Sequence, residues 1–373
     1  MKSLPVVRRR LVIVITVIAL MLFGLNRVHV STYEILPGQA SPLSPMIKVS
    51  GVPTDPQATT KKSGFMMVDV ALRQMTALSQ FWAQVRGATN TVLLSDLVSK
   101  GSSFADFDRQ SYLDMQNSKD NAELNAFRAL GWSLTPQPTG AVTTDFTVGS
   151  AARKAGLRIA DRIVSINGSP IANSCDAIAA LHDVAPASTV QVGIEKAKVS
   201  DAGVITYAEP TMLKISTKKT PRDVAVSDCP GITTIAKSWI GVSLSDGVSY
   251  NFPATITINT QYIGGPSAGL AMTLALIDRL SEGSLSGGKK VAVTGEIATN
   301  GTVGDIGGIE QKTAAAITAG AAIFIVPANQ AYQARAAAHG KLAVIGATKL
   351  AQVLRELRRL GGQPPVPYTK PNF

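Results

Sequence analysis

The sequence predicts a multidomain α+β protein with an N-terminal membrane helix, a small β domain in the middle and a compact α+β domain at the C-terminus. Three observations predict it. An uncharged apolar run over residues 11–25 follows the cluster Arg8-Arg9-Arg10. Turn signals at Gly156 and Asn167-Gly168 cut the middle of the chain into short elements. Beyond Ile232, β-branched segments alternate with alanine-rich helical ones, the first of them following Gly264-Gly265-Pro266-Ser267.

Residues 1–30 are expected to form the anchor. Fifteen uncharged residues fall short of the roughly 20 that cross a bilayer. Val6 and Val7 on one side, and Val28 and Val30 on the other, lengthen the run if Arg8, Arg9, Arg10 and Arg27 snorkel to the headgroups. No small-x-small cleavage signal follows, since the next residues are Asn26-Arg27-Val28-His29, so the segment is expected to stay as an uncleaved single-pass anchor in the cell membrane. The arginine cluster keeps its end cytoplasmic, which makes the body of the protein extracytoplasmic. The same cluster explains much of the net charge of +11: five basic residues and no acid lie in the first thirty, and 31 basic against 25 acidic residues leave +6 for the rest. No lysine-arginine block with interleaved aromatics occurs there, so nucleic acid is not an expected partner.

Residues 31–126 read as a membrane-proximal α/β region. A Pro-rich connection (Pro37, Pro42, Pro45, Pro53, Pro56) leads to a strand over 64–72 and helices over 74–85 and 105–130. Their amphipathic patterns are ordinary and suggest no chemistry. In residues 127–198, Gly156 closes a short helix, Asn167-Gly168 turns the chain after a strand, and 172–183 forms a further helix. Residues 199–231 are expected to be a linker. Cys175 and Cys229 are the only two cysteines; they permit one bridge in an oxidising compartment, or two buried thiols.

Residues 232–360 read as the C-terminal domain, with 361–373 as a tail. Helices are expected over 268–280, 309–319, 329–338 and 349–360, and strands over 290–294, 322–326 and 342–345. Asn300-Gly301 turns a hairpin over 296–305, and Gly320 closes the second helix.

The chemistry gathers on two residues. Pro266 suits the first position of a helix, which puts Ser267 on the first turn, near unpaired N–H groups and the positive end of the helix dipole. Gly264 and Gly265 would let a substrate backbone approach. Lys312 lies about 60° from Ile309 around its helix, at the edge of the stripe Ile309, Thr313, Ala316 and Ile317. Its neighbours Ala315, Ala316 and Ala319 are small enough to admit another segment and exclude water. A serine needs a base, and lysine serves as one only when burial leaves it neutral. His29, His182 and His339 are scattered, so neither a Ser-His-Asp triad nor a clustered metal site is visible. Gly287-Gly288-Lys289-Lys290 lacks the spacing and hydroxyl residue of a phosphate loop. No cofactor is expected.

Gly265-Pro266-Ser267-Ala268-Gly269, then Val293-Thr294-Gly295-Glu296-Ile297, then Gly304, Ile306-Gly307-Gly308, Lys312 and Ala314-Ala315, resemble the proteolytic domain of the Lon family, from about residue 232 to 357. The resemblance implies that Ser267 is the nucleophile, Lys312 the general base, and Thr294 the group that orients the lysine. Many members of that family carry an acid three residues before the serine, where this chain has Gly264. The opening Tyr33-Glu34-Ile35-Leu36-Pro37-Gly38, with Val148-Gly149-Ser150-Ala151-Ala152 and Asp161-Arg162-Ile163-Val164, resembles extracytoplasmic Lon-like proteins that carry a PDZ domain. It implies peptide capture at a sheet edge, with the carboxylate loop near Leu130-Gly131-Trp132, ahead of the strand containing Val142. The whole then reads as a membrane-anchored, ATP-independent serine endopeptidase acting on accessible polypeptides, with a homo-oligomer expected from the family. The alternative is a PDZ adaptor whose protease-like domain is a scaffold.

Overall fold

A computed structural model of the chain describes residues 6–50, 64–88, 90–221 and 228–367. Helix α1 (Val6–Leu25) opens the chain, and its large apolar side chains between Leu11 and Phe23 are 43% to 65% exposed. No helix among the described residues is long and apolar enough to cross a membrane. Helix α1 has 20 residues, but Arg8, Arg9 and Arg10 lie within its first turns, so the structure does not by itself show the expected membrane-spanning helix.

The segment expected to form a separate membrane-proximal region is built into the C-terminal domain. It comprises β1 (His29–Pro42), β2 (Ile47–Ser50), β3 (Phe65–Thr76), α2 (Ala77–Val85), β4 (Thr91–Leu93) and α3 (Phe104–Ala129). Strand β3 continues to Thr76, where a helix was expected from Gln74, because its pairing with β1 persists to His29↔Thr76. Thr76 then caps α2 in a reciprocal box with Ser79. Pro53 and Pro56 of the expected connection lie outside the described residues.

The middle domain runs through β5 (Pro136–Phe146), α4 (Ala151–Lys154), β6 (Arg162–Ile166), β7 (Ser169–Pro170), α5 (Ser174–His182), β8 (Thr189–Glu195), β9 (Ala197–Val199), β10 (Ile205–Tyr207) and β11 (Thr211–Ser216). Asn167 and Gly168, at φ 49° and 82°, make the β6–β7 turn as their sequence predicts. The expected linker is part of this domain: β11 pairs with β8, and its Leu213 and Ile215 pack on the domain core. Strand β12 (Val242–Tyr250), expected in the C-terminal domain, closes the same antiparallel sheet in the order β11-β8-β6-β5-β12.

The C-terminal part continues with β13 (Thr255–Ile258), α6 (Gly269–Arg279), β14 (Val291–Val293), β15 (Glu296–Ile297), β16 (Val303–Gly304), α7 (Ile309–Thr318), β17 (Ile323–Pro327), α8 (Ala331–Ala338), β18 (Ala343–Ala347) and α9 (Leu350–Arg359). Its main sheet has the order β18-β17-β14-β3-β1-β4. The pairs β18/β17, β17/β14 and β14/β3 are parallel, and β1 runs antiparallel to β3 and β4. Buried on both faces, β14 and β17 read as the continuous apolar runs of a covered sheet. One core holds Phe65, Met67, Met115 and Phe127 together with Leu270, Leu274, Val293 and Val353, so the two ends of the chain fold as one unit around the inserted middle domain. Helix α3 joins the two: Lys119 Nζ donates to Gly203 O at 2.8 Å, and Ile205 N donates to Gln116 Oε1 at 3.3 Å. From the other side, Thr260 N donates to Ala202 O at 3.2 Å.

Candidate active site

Ser267 lies just ahead of α6, which begins at Gly269 with Ala268 as its cap, rather than on the first turn. The cause is local. The Ser267 carbonyl accepts from Thr294 Oγ1 at 3.2 Å and from Gly295 N at 2.9 Å, so it is committed to the strand-end loop and not to the helix. Gly265, at φ 87°, turns the chain into Pro266, and both residues are held by α3. Gly265 N donates to Ser111 O at 2.8 Å, and Ser118 Oγ donates to Pro266 O at 2.9 Å. A β-carbon at Gly264 would stand 2.8 Å from that of Ser111, which gives a steric reason for glycine where the resembled family often has an acid.

Lys312 projects from α7, is 2% exposed, and its Nζ lies 2.7 Å from Ser267 Oγ. Its second partner is Thr294 Oγ1 at 3.2 Å. Thr294, itself fully buried, thus accepts from the lysine while donating to the Ser267 carbonyl, and fixes both groups at once. Burial pushes the Lys312 amine down from 10.5 to about 8, although the nearby Asp69 and Glu296 carboxylates pull the other way. Burial likewise raises the Glu296 carboxyl, helped by repulsion from Asp114 and Asp305. A buried amine in this state accepts the serine proton and gives it back, which is the requirement for an activated hydroxyl. The positive end of α6 favours the oxyanion formed beside it.

Two cavities meet at Ser267. One, of about 730 Å³, is lined on its apolar side by Met46, Met67, Met115, Ile263 and Ala268. The other, of about 630 Å³, is lined by Ile35, Val70, Leu72, Phe104, Phe107 and Tyr112 among others. Tyr262, 81% exposed, borders both. Asp69 and the α3 contributions carry no sequence signal, because they reach the site only through nonlocal pairing. Glu296 stood in the motif with Thr294.

Leu130 and Trp132 pack with Phe127 on the C-terminal core, Gly131 closes α3 at φ 87°, and Val142 faces the interior of the middle domain. A groove of about 280 Å³ lies between α5 (Ala177, Ile178, Leu181) and the stretch Trp239-Ile240-Gly241 leading into β12. Gly241 has φ 78°, and the carbonyls of Ile240 and Gly241 are held by Ala152 N at 3.0 Å and Thr147 N at 3.2 Å. The hydroxyls of Thr220 and Ser238 are buried beside this groove and have no hydrogen-bond partner among the described residues. Cys175 and Cys229 are disulfide-bonded, which fixes the segment carrying Ile232 and Ile235 along the groove wall, at the start of α5.

The C-terminal proteolytic domain of Lon protease (S16) matches residues 261–358, and the PDZ domain matches residues 128–204. Lon protease of Phenylobacterium zucineum is 46% identical over 65 residues, 17% of this chain and 8% of that protein. Lon protease 2 of Bacillus subtilis is 30% identical over 145 residues, 38% of this chain and 25% of that protein. The chain thus spans a quarter or less of the length of these curated relatives. Among solved structures, the PDZ domain of the SdrC-like protein from Listeria monocytogenes covers 28% of this chain and 86% of that one, at 16% identity and a TM-score of 0.21. The chain carries a Lon-type proteolytic domain and a PDZ domain, and these likenesses support a serine peptidase.

Proposed function

We propose that this chain is a membrane-anchored, ATP-independent serine endopeptidase that cuts accessible polypeptides with a Ser267–Lys312 dyad. The observation that carries the reading is the 2.7 Å approach of Lys312 Nζ to Ser267 Oγ in a setting that leaves the lysine 2% exposed. Neutral Lys312 takes the Ser267 proton as Oγ attacks the scissile carbonyl. The tetrahedral oxyanion is stabilised by N–H groups near Ser267, and Lys312 returns the proton to the departing amine. A water then attacks the acyl-enzyme, giving its proton to Lys312, and Ser267 leaves reprotonated with release of the new carboxylate. Thr294 keeps the amine aimed throughout.

The apolar walls on both sides of Ser267 suit an extended chain presenting large apolar side chains, as unfolded segments do. The groove between α5 and β12 would recruit such chains by adding them beside β12, the edge strand of its sheet. Helix α1 would sit in the bilayer with Arg8, Arg9 and Arg10 at the headgroups, its 15-residue uncharged part spanning about 22 Å and local thinning or snorkelling making up the rest. The all-round exposure of its apolar side chains and the Cys175–Cys229 bond favour an anchored, extracytoplasmic protein.

Acid-quenched mass spectrometry of an unfolded protein substrate tests the activity. Wild type should produce new peptide termini, and folded Ser267→Ala should lose them by about 10³-fold or more. Identical product profiles for the two proteins would remove the enzyme reading.

A further inference from the structure

Helix α2 is built inside out. Its sequence, Ala-Leu-Ser-Gln-Phe-Trp-Ala-Gln-Val, carries no charge, and Leu78, Phe81, Trp82 and Val85 form a single stripe at helical spacing. In a helix that serves a core, that stripe faces the protein. Here the opposite face does: Gln80 Nε2 donates to the buried Thr32 Oγ1 of β1 at 3.0 Å, while Phe81, Trp82 and Val85 are 57%, 48% and 61% exposed. No residue of α2 is buried. The Phe81 and Trp82 rings stand edge to face at 5.6 Å, which gathers the exposed apolar surface into one patch.

The position of this patch says what covers it. Helix α2 starts where α1 ends: Ala77 N donates to Val28 O at 2.8 Å, and Thr76 Oγ1 donates to Asn26 Oδ1 at 3.3 Å. The exposed apolar surface of α1 therefore runs on through Val28, 56% exposed, to the stripe of α2. Cations flank it. Arg27 stacks over Phe23 at 5.0 Å, and Arg86 caps the C-terminal end of α2. Tryptophan and phenylalanine on an uncharged stripe, bordered by arginines at the foot of an apolar helix, are the chemistry of the boundary between lipid headgroups and acyl chains.

We propose that α2 lies flat in the headgroup–acyl boundary of the bilayer that α1 enters, as a second membrane contact that sets the orientation of the catalytic domain. This rests on the anchored reading of α1. With two contacts in place, the domain cannot swing freely about the residue 25–28 joint. The strand β1 that leads from α1 towards the active-site cavities then holds Ser267 at a defined height above the lipid.

The test is a nitroxide attached in turn to Phe81→Cys, Val85→Cys, Val17→Cys and Tyr332→Cys of the full chain, kept non-reducing so that Cys175 and Cys229 stay paired. The protein is reconstituted in phosphatidylcholine vesicles containing phosphatidylglycerol. Collision with oxygen and with a water-soluble nickel chelate gives the depth of each label. Labels at 81 and 85 should favour oxygen severalfold and read about 5–10 Å below the headgroups, with Val17 deeper and the exposed Tyr332 in water. If 81 and 85 are as open to nickel as 332 while 17 is in lipid, α2 is free in water and the proposal fails alone. Shielding of 81 and 85 from both reagents, with spin–spin broadening, would mark a second copy of the chain as the occupant and also overturn it. If 17 itself is aqueous, the anchored reading fails, and the proposal of a second contact beside a membrane-inserted α1 fails with it, whatever 81 and 85 report.

Discussion

In the proposed mechanism Lys312 serves as base because it is buried, and its burial has a cost that can be measured apart from activity. At a pH below about 8 both the folded and the unfolded chain hold its proton, so folding bears the full cost of burying a charge. Between about 8 and 10.5 only the unfolded chain holds it, and by proton linkage stability rises with pH across that window. Lys312→Met should therefore be inactive yet more stable than wild type at neutral pH, by on the order of 3 kcal/mol, with the difference shrinking as pH climbs towards 10. Urea unfolding of both proteins at pH 7 and pH 9.5 checks this. A Lys312→Met protein less stable than wild type at both values would contradict a costly buried amine. Comparing the pair is essential, because other buried groups titrate as well: Glu123 and Lys119 near 8 and Asp120 near 6, all mainly through burial. At this scale the sequence was most legible. Ser267, Thr294 and Lys312 stand in short motifs whose meaning survives without coordinates, whereas Asp69 looks like any strand carboxylate.

Helix α3 holds the loop that presents Ser267, through its Ser111 and Ser118. Gly264 passes so close to Ser111 that a methyl group cannot fit without displacement. Gly264→Ala should lower kcat about tenfold or more and cost about 1–3 kcal/mol of stability. Adding Ser111→Gly should restore part of the activity by removing the colliding β-carbon. Equal activity of Gly264→Ala and wild type would show that the loop is not held against α3. The pattern 105–130 was legible as a helix, and the structure has it at Phe104–Ala129. Its role was not legible, because amphipathic spacing says that one face is covered and never by what. The same limit applies to α2, whose stripe Leu78, Phe81, Trp82 and Val85 reads as core-facing until the side that Gln80 bonds is known.

Across the molecule, the candidate site is assembled from segments on both sides of the PDZ domain, which is inserted between them. The parallel pairing of β3 with β14 brings residues 65–67 beside 291–293, and no local pattern announces a contact across more than 200 residues. The middle domain shows the same thing in reverse. Its turns and its helix α5 were legible, but the strand that borders its groove, β12, comes after the expected linker and belongs by hydrogen bonding to β5. Leu130, Gly131 and Trp132, expected near a peptide site, do not line that groove.

Activity itself is the property that needs all of these parts together, and its pH dependence is the most direct test of a neutral Lys312 as the base. Measured with an internally quenched peptide, kcat/KM of wild type should climb about tenfold per pH unit below a midpoint near 8 and level off above it, while Lys312→Arg, whose guanidinium cannot give up its proton, should be inactive throughout. A flat profile between pH 6 and pH 9.5, or substantial activity in Lys312→Arg, would contradict the account.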